Sequence, residues 1–121
     1  MEDKISTRAA GNIGENMAAD HLESAGYKIL CRNYTVRGGE IDIIALDGTT
    51  LVFVEVKTRK NDLFGKACEA VTKKKTQHII SAAERYIFEN SAYGDMLARF
   101  DVIEVYTQNG FINHIKNIDI N

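Results

Sequence analysis

From Thr7 to Ala25, Ile13, Met17 and His21 recur at four-residue intervals, and so do Gly14, Ala18 and Leu22. This spacing predicts a helix with a broad apolar side, stopped by Gly26 just past its end. Tyr27 to Tyr34 reads as a strand with Ile29, Leu30 and Cys31 inside it, and Gly38-Gly39 as a turn. Glu40 to Leu46 then alternates strictly, which puts Ile41, Ile43 and Ala45 on one face and Glu40, Asp42, Ile44 and Leu46 on the other. Asp47-Gly48 is a hairpin signal. Thr50 to Arg59 is a long strand, with Val52, Val54 and Val56 facing one way and Leu51, Phe53, Glu55 and Lys57 the other. After a loop containing Gly65, Cys68 to Glu89 predicts a second helix whose core stripe is Val71, Ile79, Ala82, Ala83, Tyr86 and Ile87. Phe100 to Tyr106 reads as a fourth strand, and Phe111 to Ile120 as an edge strand.

The order is α-β-β-β-α-β with a last strand added. Short turns let the first three strands pair as an antiparallel meander, and the long helix before the fourth suits a parallel crossover. The expected fold class is α/β, a mixed central sheet with a helix on each face. At 121 residues the chain makes one domain, residues 1–121.

Composition adds little to this picture, but it excludes several classes. Apolar residues are 45% and charged residues 26%, which does not suit a disordered tail or a low-complexity linker. No apolar run is long enough to cross a membrane. The charged start Met1-Glu2-Asp3-Lys4 leads into no apolar segment of a signal peptide. Cys31 and Cys68 form no framework of paired spacings, which points to a reducing, cytoplasmic setting with both thiols free and buried. The net charge of -2 argues against a protein that coats nucleic acid non-specifically. His21, His78 and His114 share no metal-ligand spacing, so neither a structural zinc site nor a Cys-His nucleophile is expected.

The chemistry lies in the second and third strands. Acids and lysines are rarely buried unless they are paired or bound to an ion, yet Glu40, Asp42, Glu55 and Lys57 sit within apolar strands. The Asp47-Gly48 hairpin brings Asp42 toward Glu55. Two carboxylates held close repel unless a cation lies between them, and oxygen ligands of this kind suit Mg²⁺ or Mn²⁺. A neighbouring lysine can stabilise developing negative charge or orient an attacking water. Taken alone, Glu55-Val56-Lys57 is an ordinary surface pair. Its setting in Leu51-Val52-Phe53-Val54-Glu55-Val56-Lys57 is too apolar for a wet edge.

Three segments carry a resemblance that spans Arg8 to Tyr106. They are Gly11-Asn12-Ile13-Gly14-Glu15 with Ala18-Ala19, Gly39-Glu40-Ile41-Asp42-Ile43-Ile44-Ala45, and Val54-Glu55-Val56-Lys57-Thr58-Arg59, joined by Arg99-Phe100-Asp101-Val102. The chain resembles the PD-(D/E)XK, or restriction-endonuclease-like, nuclease superfamily. More narrowly, it resembles the YraN-like family of bacterial proteins, which are similar to archaeal Holliday junction resolvases. The resemblance implies a restriction-endonuclease-like core and a Mg²⁺- or Mn²⁺-dependent endonuclease acting on DNA, including branched or structured DNA. It implies that Asp42 and Glu55 hold the metal, that the Val56 carbonyl is a third ligand, and that Lys57 is the catalytic lysine. It also implies that Glu15 is an additional acid of the site. The residues themselves leave Glu15 open between a site role and pairing with a nearby base or its own helix start.

Ile41 stands where the superfamily pattern has proline. Because proline ligates nothing, the departure leaves the chemistry intact. Glu40 is an alternative ligand, or a hydrogen-bond partner of Lys57 or the Gly38-Gly39 turn. Arg37, Arg59, Lys60, Lys66, Lys73 and Lys74 are placed to contact nucleic-acid phosphates. Lys74 and its neighbours read equally as a solvated helix face with Gln77, Ser81 and Glu84. Tyr34 and Phe64 are the loop aromatics available for stacking, too few for base-specific readout. The rival function is an inactive nucleic-acid-binding or protein-interaction module on the same fold, with its acids paired to Lys57 and Arg99. A junction-cutting enzyme is expected as a two-fold homodimer.

Overall fold

A computed structural model describes the backbone of residues 2–59 and 73–119, and side chains from residue 12 to 59 and from 76 to 119. Helix α1 (Glu2–Ser24) leads to strands β1 (Lys28–Val36), β2 (Gly39–Asp47) and β3 (Thr50–Arg59). Helix α2 (Lys73–Glu89), a 3₁₀ turn (Ser91–Tyr93), and strands β4 (Leu97–Tyr106) and β5 (Phe111–Ile115) follow. The five strands lie in sequence order. β1–β2, β2–β3 and β4–β5 pair antiparallel, and β3–β4 pair parallel across the long connection that contains α2. The expected mixed α-β-β-β-α-β arrangement is therefore present. Val71, Cys68 and the rest of the predicted second helix before Lys73 lie outside the described residues.

Helix α1 begins earlier than the periodicity suggested, and it ends where Gly26 ends it. Gly26 has φ of +93°, the left-handed conformation that glycine adopts without a steric penalty. Its N–H donates to the Glu23 carbonyl and the Tyr27 N–H donates to the Leu22 carbonyl, the paired bonds of a Schellman end. Leu22 and Tyr27 then bury together in the α1-side core with Ala18, Ile43, Val52 and Ile103. Ile13 was expected on the apolar side but is 52% exposed. The apolar side is the narrower stripe of Ala18, Ala19 and Leu22.

On the opposite face, Ala82, Ala83 and Tyr86 of α2 cover Ile44, Leu51 and Phe53. Alternation along β3 follows the sequence pattern, with Val52 and Val54 toward α1, and Leu51 and Phe53 toward α2. β2 departs from it. Ile43 and Ala45 face α1, but Ile41 packs with Ile44 and Phe53 on the α2 side. The β1–β2 ladder skips a pair at the same place. Arg32 pairs with Ile43 and Tyr34 with Ile41, and between them Asn33 adopts φ of +54°. Asparagine tolerates that left-handed conformation better than most residues. The pleat thus switches face at Asn33 and Asp42. Two residues further back, a register shift between Ile29 and Cys31 turns both Leu30 and Cys31 toward α2. Cys31 is a free, half-buried thiol.

Two glycines let the helices lie close to the strands. A side chain on Gly39 would strike the His78 carbonyl and Ala82 of α2, and one on Gly14 would strike the Thr58 hydroxyl of β3. Overpacking of this kind costs about 1–3 kcal/mol. Gly39→Ala is expected to lower the free energy of unfolding in urea by that scale with no single-residue rescue, because the obstacle is main chain. Gly14→Ala is expected to cost less and to be relieved by Thr58→Ala. Urea denaturation of Gly39→Ala, Gly14→Ala, Thr58→Ala and the Gly14→Ala/Thr58→Ala double variant checks both.

Candidate functional site

The β2–β3 ladder runs from Asp47↔Thr50 to Ile43↔Val54 and ends there. At the next step the Val56 N–H donates to Asp42 Oδ2 at 2.8 Å. The side chain of Asp42 thus takes the bond that a β2 carbonyl makes within the ladder. This fixes the carboxyl at the fork of the two strands, beside Glu55. Val56 meets the site through its N–H. Lys57 Nζ lies 3.4 Å from Glu55 Oε1, and both side chains are largely buried.

Burial and the Glu55 carboxylate raise the Asp42 carboxyl from an ordinary 3.8 to about 7, against the lowering effect of the Val56 N–H, with smaller contributions from Glu40 and Glu15. Behind Glu55, a cavity of about 20 Å³ is walled by Ile41, Phe53, Ile79, Phe100 and Val102. That is room for about one water molecule, so the rear of the site is apolar. Such surroundings disfavour a second negative charge. Among the described residues, no three of His, Cys, Asp and Glu converge as a ready-made metal cage. Two carboxylates completed by water and substrate oxygens are nevertheless a common way to hold Mg²⁺, and Asp42 with Glu55 could do so.

The other expected residues divide. Glu15 is buried and accepts bonds from Arg32 Nε at 2.9 Å and Asn33 Nδ2 at 3.0 Å. Of its readings, the structure shows the pairing with a base. These bonds tie helix α1 to β1 at Arg32 and at the left-handed Asn33, across the sheet from Asp42. Glu40 is exposed and accepts from Thr35 Oγ1 at 3.2 Å, rather than bonding Lys57 or the turn. Tyr34 is a strand residue set edge-on against Tyr86, with its hydroxyl donating to Glu89, so it is no loop stacking platform. Arg37 is exposed in the β1–β2 turn. Arg59 Nε lies 3.9 Å from Glu104 Oε2. Lys60, Lys66 and Phe64 lie outside the described residues, as do the side chains of Lys73 and Lys74 at the start of α2.

Sequence reasoning missed a second polar cluster, on the α1 side. Asp101 is fully buried and accepts from Arg99 Nε at 3.0 Å, from the Asn117 N–H at 2.9 Å, and bonds His114 Nε2 at 2.8 Å. His114 Nδ1 meets His21 Nε2 at 3.1 Å. Arg99 also bonds the Tyr27 hydroxyl at 2.6 Å and Asp47 at 2.9 Å. Burial alone raises the Asp101 carboxyl, but the bonds from His114, Arg99 and Asn117 outweigh it and hold the carboxyl below its ordinary value. Burial, then His114 and Lys116, lower His21. The two histidines are 93 residues apart, so no local spacing could announce their contact. Glu104 was missed too, although a lone acid in Val102-Ile103-Glu104-Val105-Tyr106 was a legible signal.

Fold and site together define an α/β domain whose mixed sheet, clasped between two helices, carries two approaching carboxylates and a lysine on adjacent strands. The chain belongs to the uncharacterised protein family UPF0102, the YraN-like family, whose model matches residues 14–105. It is 46% identical over 113 residues to a UPF0102 protein of Clostridioides difficile, covering 93% of this chain and 98% of that one. A UPF0102 protein of Caldicellulosiruptor saccharolyticus is 44% identical over 119 residues, covering 97% and 95%. One of Pseudomonas aeruginosa is 38% identical over 110 residues, covering 91% and 88%. No helix of the described residues is long and apolar enough to cross a membrane.

The opposite shifts of the two aspartates separate in pH. Asp42 in the folded state holds its proton to about pH 7, whereas the unfolded chain releases it near 4. Its stabilising share is therefore full below pH 4 and is lost as pH rises toward 7. Asp101 contributes above the unfolded carboxyl range, and its share is lost as pH falls through its lowered folded value. The unfolding temperature of Asp42→Asn is expected to exceed that of wild type at pH 8 and to approach it at pH 4. Asp101→Asn is expected to fall below wild type at pH 8, with the gap closing in acid.

Proposed function

We propose that this protein is a metal-dependent nuclease that hydrolyses phosphodiester bonds of DNA, including branched DNA. The reading rests on one observation above all. Asp42 and Glu55 are held so close, with so little water, that Asp42 is not fully ionised at neutral pH. A fold that needed only stability gains nothing from this arrangement, because breaking it up removes a repulsion. A divalent cation relieves it, and Asp42 and Glu55 have the oxygen donors that Mg²⁺ or Mn²⁺ prefers. An ion bound there supplies positive charge to a phosphoryl oxygen.

The chain's own residues supply the rest. The Val56 N–H fixes the Asp42 carboxyl, so that the two acids keep their spacing without reorganisation. Lys57 presents its ammonium 3.4 Å from Glu55, where it can donate to an attacking water or to the oxyanion that develops on phosphorus. Glu15 acts through Arg32 and Asn33, setting the strand that carries Asp42 in place. Arg37 and Arg59, with Lys60, Lys66, Lys73 and Lys74, offer cations to flanking phosphates. The superfamily expected from the sequence accounts for the roles of Asp42, Glu55 and Lys57, with a two-fold dimer placing two sites on a junction.

The test is cleavage of duplex, single-stranded, flap and four-way-junction DNA with Mg²⁺ or Mn²⁺. Wild type is expected to cut at least one substrate. Asp42→Asn and Lys57→Ala are each expected to lose about 10²–10³-fold or more in rate with the fold retained. Binding without cleavage by folded wild type would instead favour an inactive nucleic-acid-binding module, and cleavage untouched by either substitution would sink the assignment.

A further inference from the structure

Glu104 and Arg59 form an ion pair that is unequal in its hydrogen bonding. In the parallel ladder Lys57 pairs with Glu104 and Arg59 with Tyr106, which places the pair on the α2 side of the sheet, continuing the row of Glu55 and Lys57. Glu104 is 4% exposed. Its carboxylate already accepts from Asn113 Nδ2 at 2.7 Å and from the Tyr106 hydroxyl at 3.4 Å. Arg59 Nε stands 3.9 Å from it, too far for a hydrogen bond. Arg59 Nε and Nη2 are buried, and neither has a hydrogen-bond partner among the described residues. The main chain of Arg59 is tied down, since its carbonyl accepts from the Thr107 N–H and hydroxyl. The side chain as a whole keeps 26% exposure.

Nε and Nη2 are the two donors on one edge of a guanidinium, the fork that grips a phosphate or carboxylate through two parallel bonds. Burying those donors unpaired is costly. The acid that faces them is satisfied without them. The arginine therefore has the donors to spare, and when it leaves, Glu104 keeps the hydrogen bonds of Asn113 and Tyr106.

We infer that Arg59 binds a phosphate oxyanion through its Nε/Nη2 edge, and that Glu104 is the resting counter-ion which the phosphate displaces. The ligand is a phosphodiester of the nucleic-acid backbone next to the scissile one, so the inference rests on the nuclease reading and adds to it a self-restraint. Empty, the site keeps its arginine on an internal carboxylate. Filled, it hands the arginine to the substrate. Glu104 thus competes with DNA and weakens binding, the reverse of what an acid with a purely structural role does.

The experiment titrates labelled duplex and four-way-junction DNA with the full chain, in Ca²⁺ to hold cleavage off, over a NaCl series. Arg59→Ala is expected to weaken binding and to reduce the slope of log affinity against log salt by about one. Arg59→Lys keeps the charge but not the fork and is expected to recover the slope without recovering the affinity. Glu104→Gln, which keeps a side chain able to bond Asn113 and Tyr106, is expected to tighten binding about threefold, on the scale of a modest ion pair. That gain should vanish when Arg59→Ala is combined with it. Binding by Glu104→Gln that is unchanged or weaker, or a gain that persists without Arg59, overturns the inference while leaving the nuclease reading standing. Should wild type bind no DNA, the nuclease reading fails, and the Nε–H resonance of Arg59 under titration with inorganic phosphate decides the inference. A shift that saturates earlier in Glu104→Gln upholds an oxyanion site there, and a resonance that stays still in both proteins overturns it.

Discussion

Asp42 accepting a hydrogen bond from the main chain of Val56 is the contact from which the rest of the site follows. An antiparallel ladder ordinarily satisfies each inward N–H with a carbonyl of the neighbouring strand. Here the strands diverge beyond Ile43 and Val54, and a carboxylate closes the gap. The bond has two effects that pull against each other. It stabilises charge on Asp42, and it pins that charge beside Glu55, in a place with little water. Burial and repulsion win, and the carboxyl ends up near neutrality. A local solution to a backbone problem has thereby become an electrostatic one.

Most of the fold was legible because it is governed by short-range periodicity. The apolar alternation of β3, the Gly26 stop, the Asp47-Gly48 hairpin and the Ile79, Ala82, Ala83 and Tyr86 stripe each follow from spacing within a few residues. Asp42, Glu55 and Lys57 were legible for the same reason, as charges in apolar strands flanking one turn. What escaped notice depends on partners far apart in the chain. Strict alternation in β2 fails at Asp42, opposite the positive φ of Asn33 on β1, and nothing in β2 itself signals that. His21, His114 and Asp101 meet only because β5 returns beside β4 and under α1. Glu15 could not be assigned from its helix alone, since the base that pairs with it sits on β1.

The two polar clusters divide the molecule by task. Arg99, Asp101, His114 and His21 tie the β2–β3 hairpin, β4, β5 and α1 together on one face, with Asp101 satisfied by strong donors. Asp42, Glu55 and Lys57 occupy the other end of β3, where like charges are left facing each other. A buried acid surrounded by donors holds structure together. A buried acid facing another acid is held short of full charge, as Asp42 is beside Glu55. The contrast separates Asp101 from Asp42, although both are aspartates within strands of the same sheet.

The irregular course of β1 has a consequence beyond the site. Among the described residues β1 is an outer strand, hydrogen-bonded to β2 on one side, and such a strand is a template on which another chain can add. Its register shift near Leu30 and its left-handed Asn33 break the regular row of N–H and C=O groups that a newcomer would need. The distortion beside Asp42 also roughens the margin of the sheet against unwanted strand addition. Straightening β1 would therefore do two kinds of harm at once, disordering the acids and opening a path to aggregation.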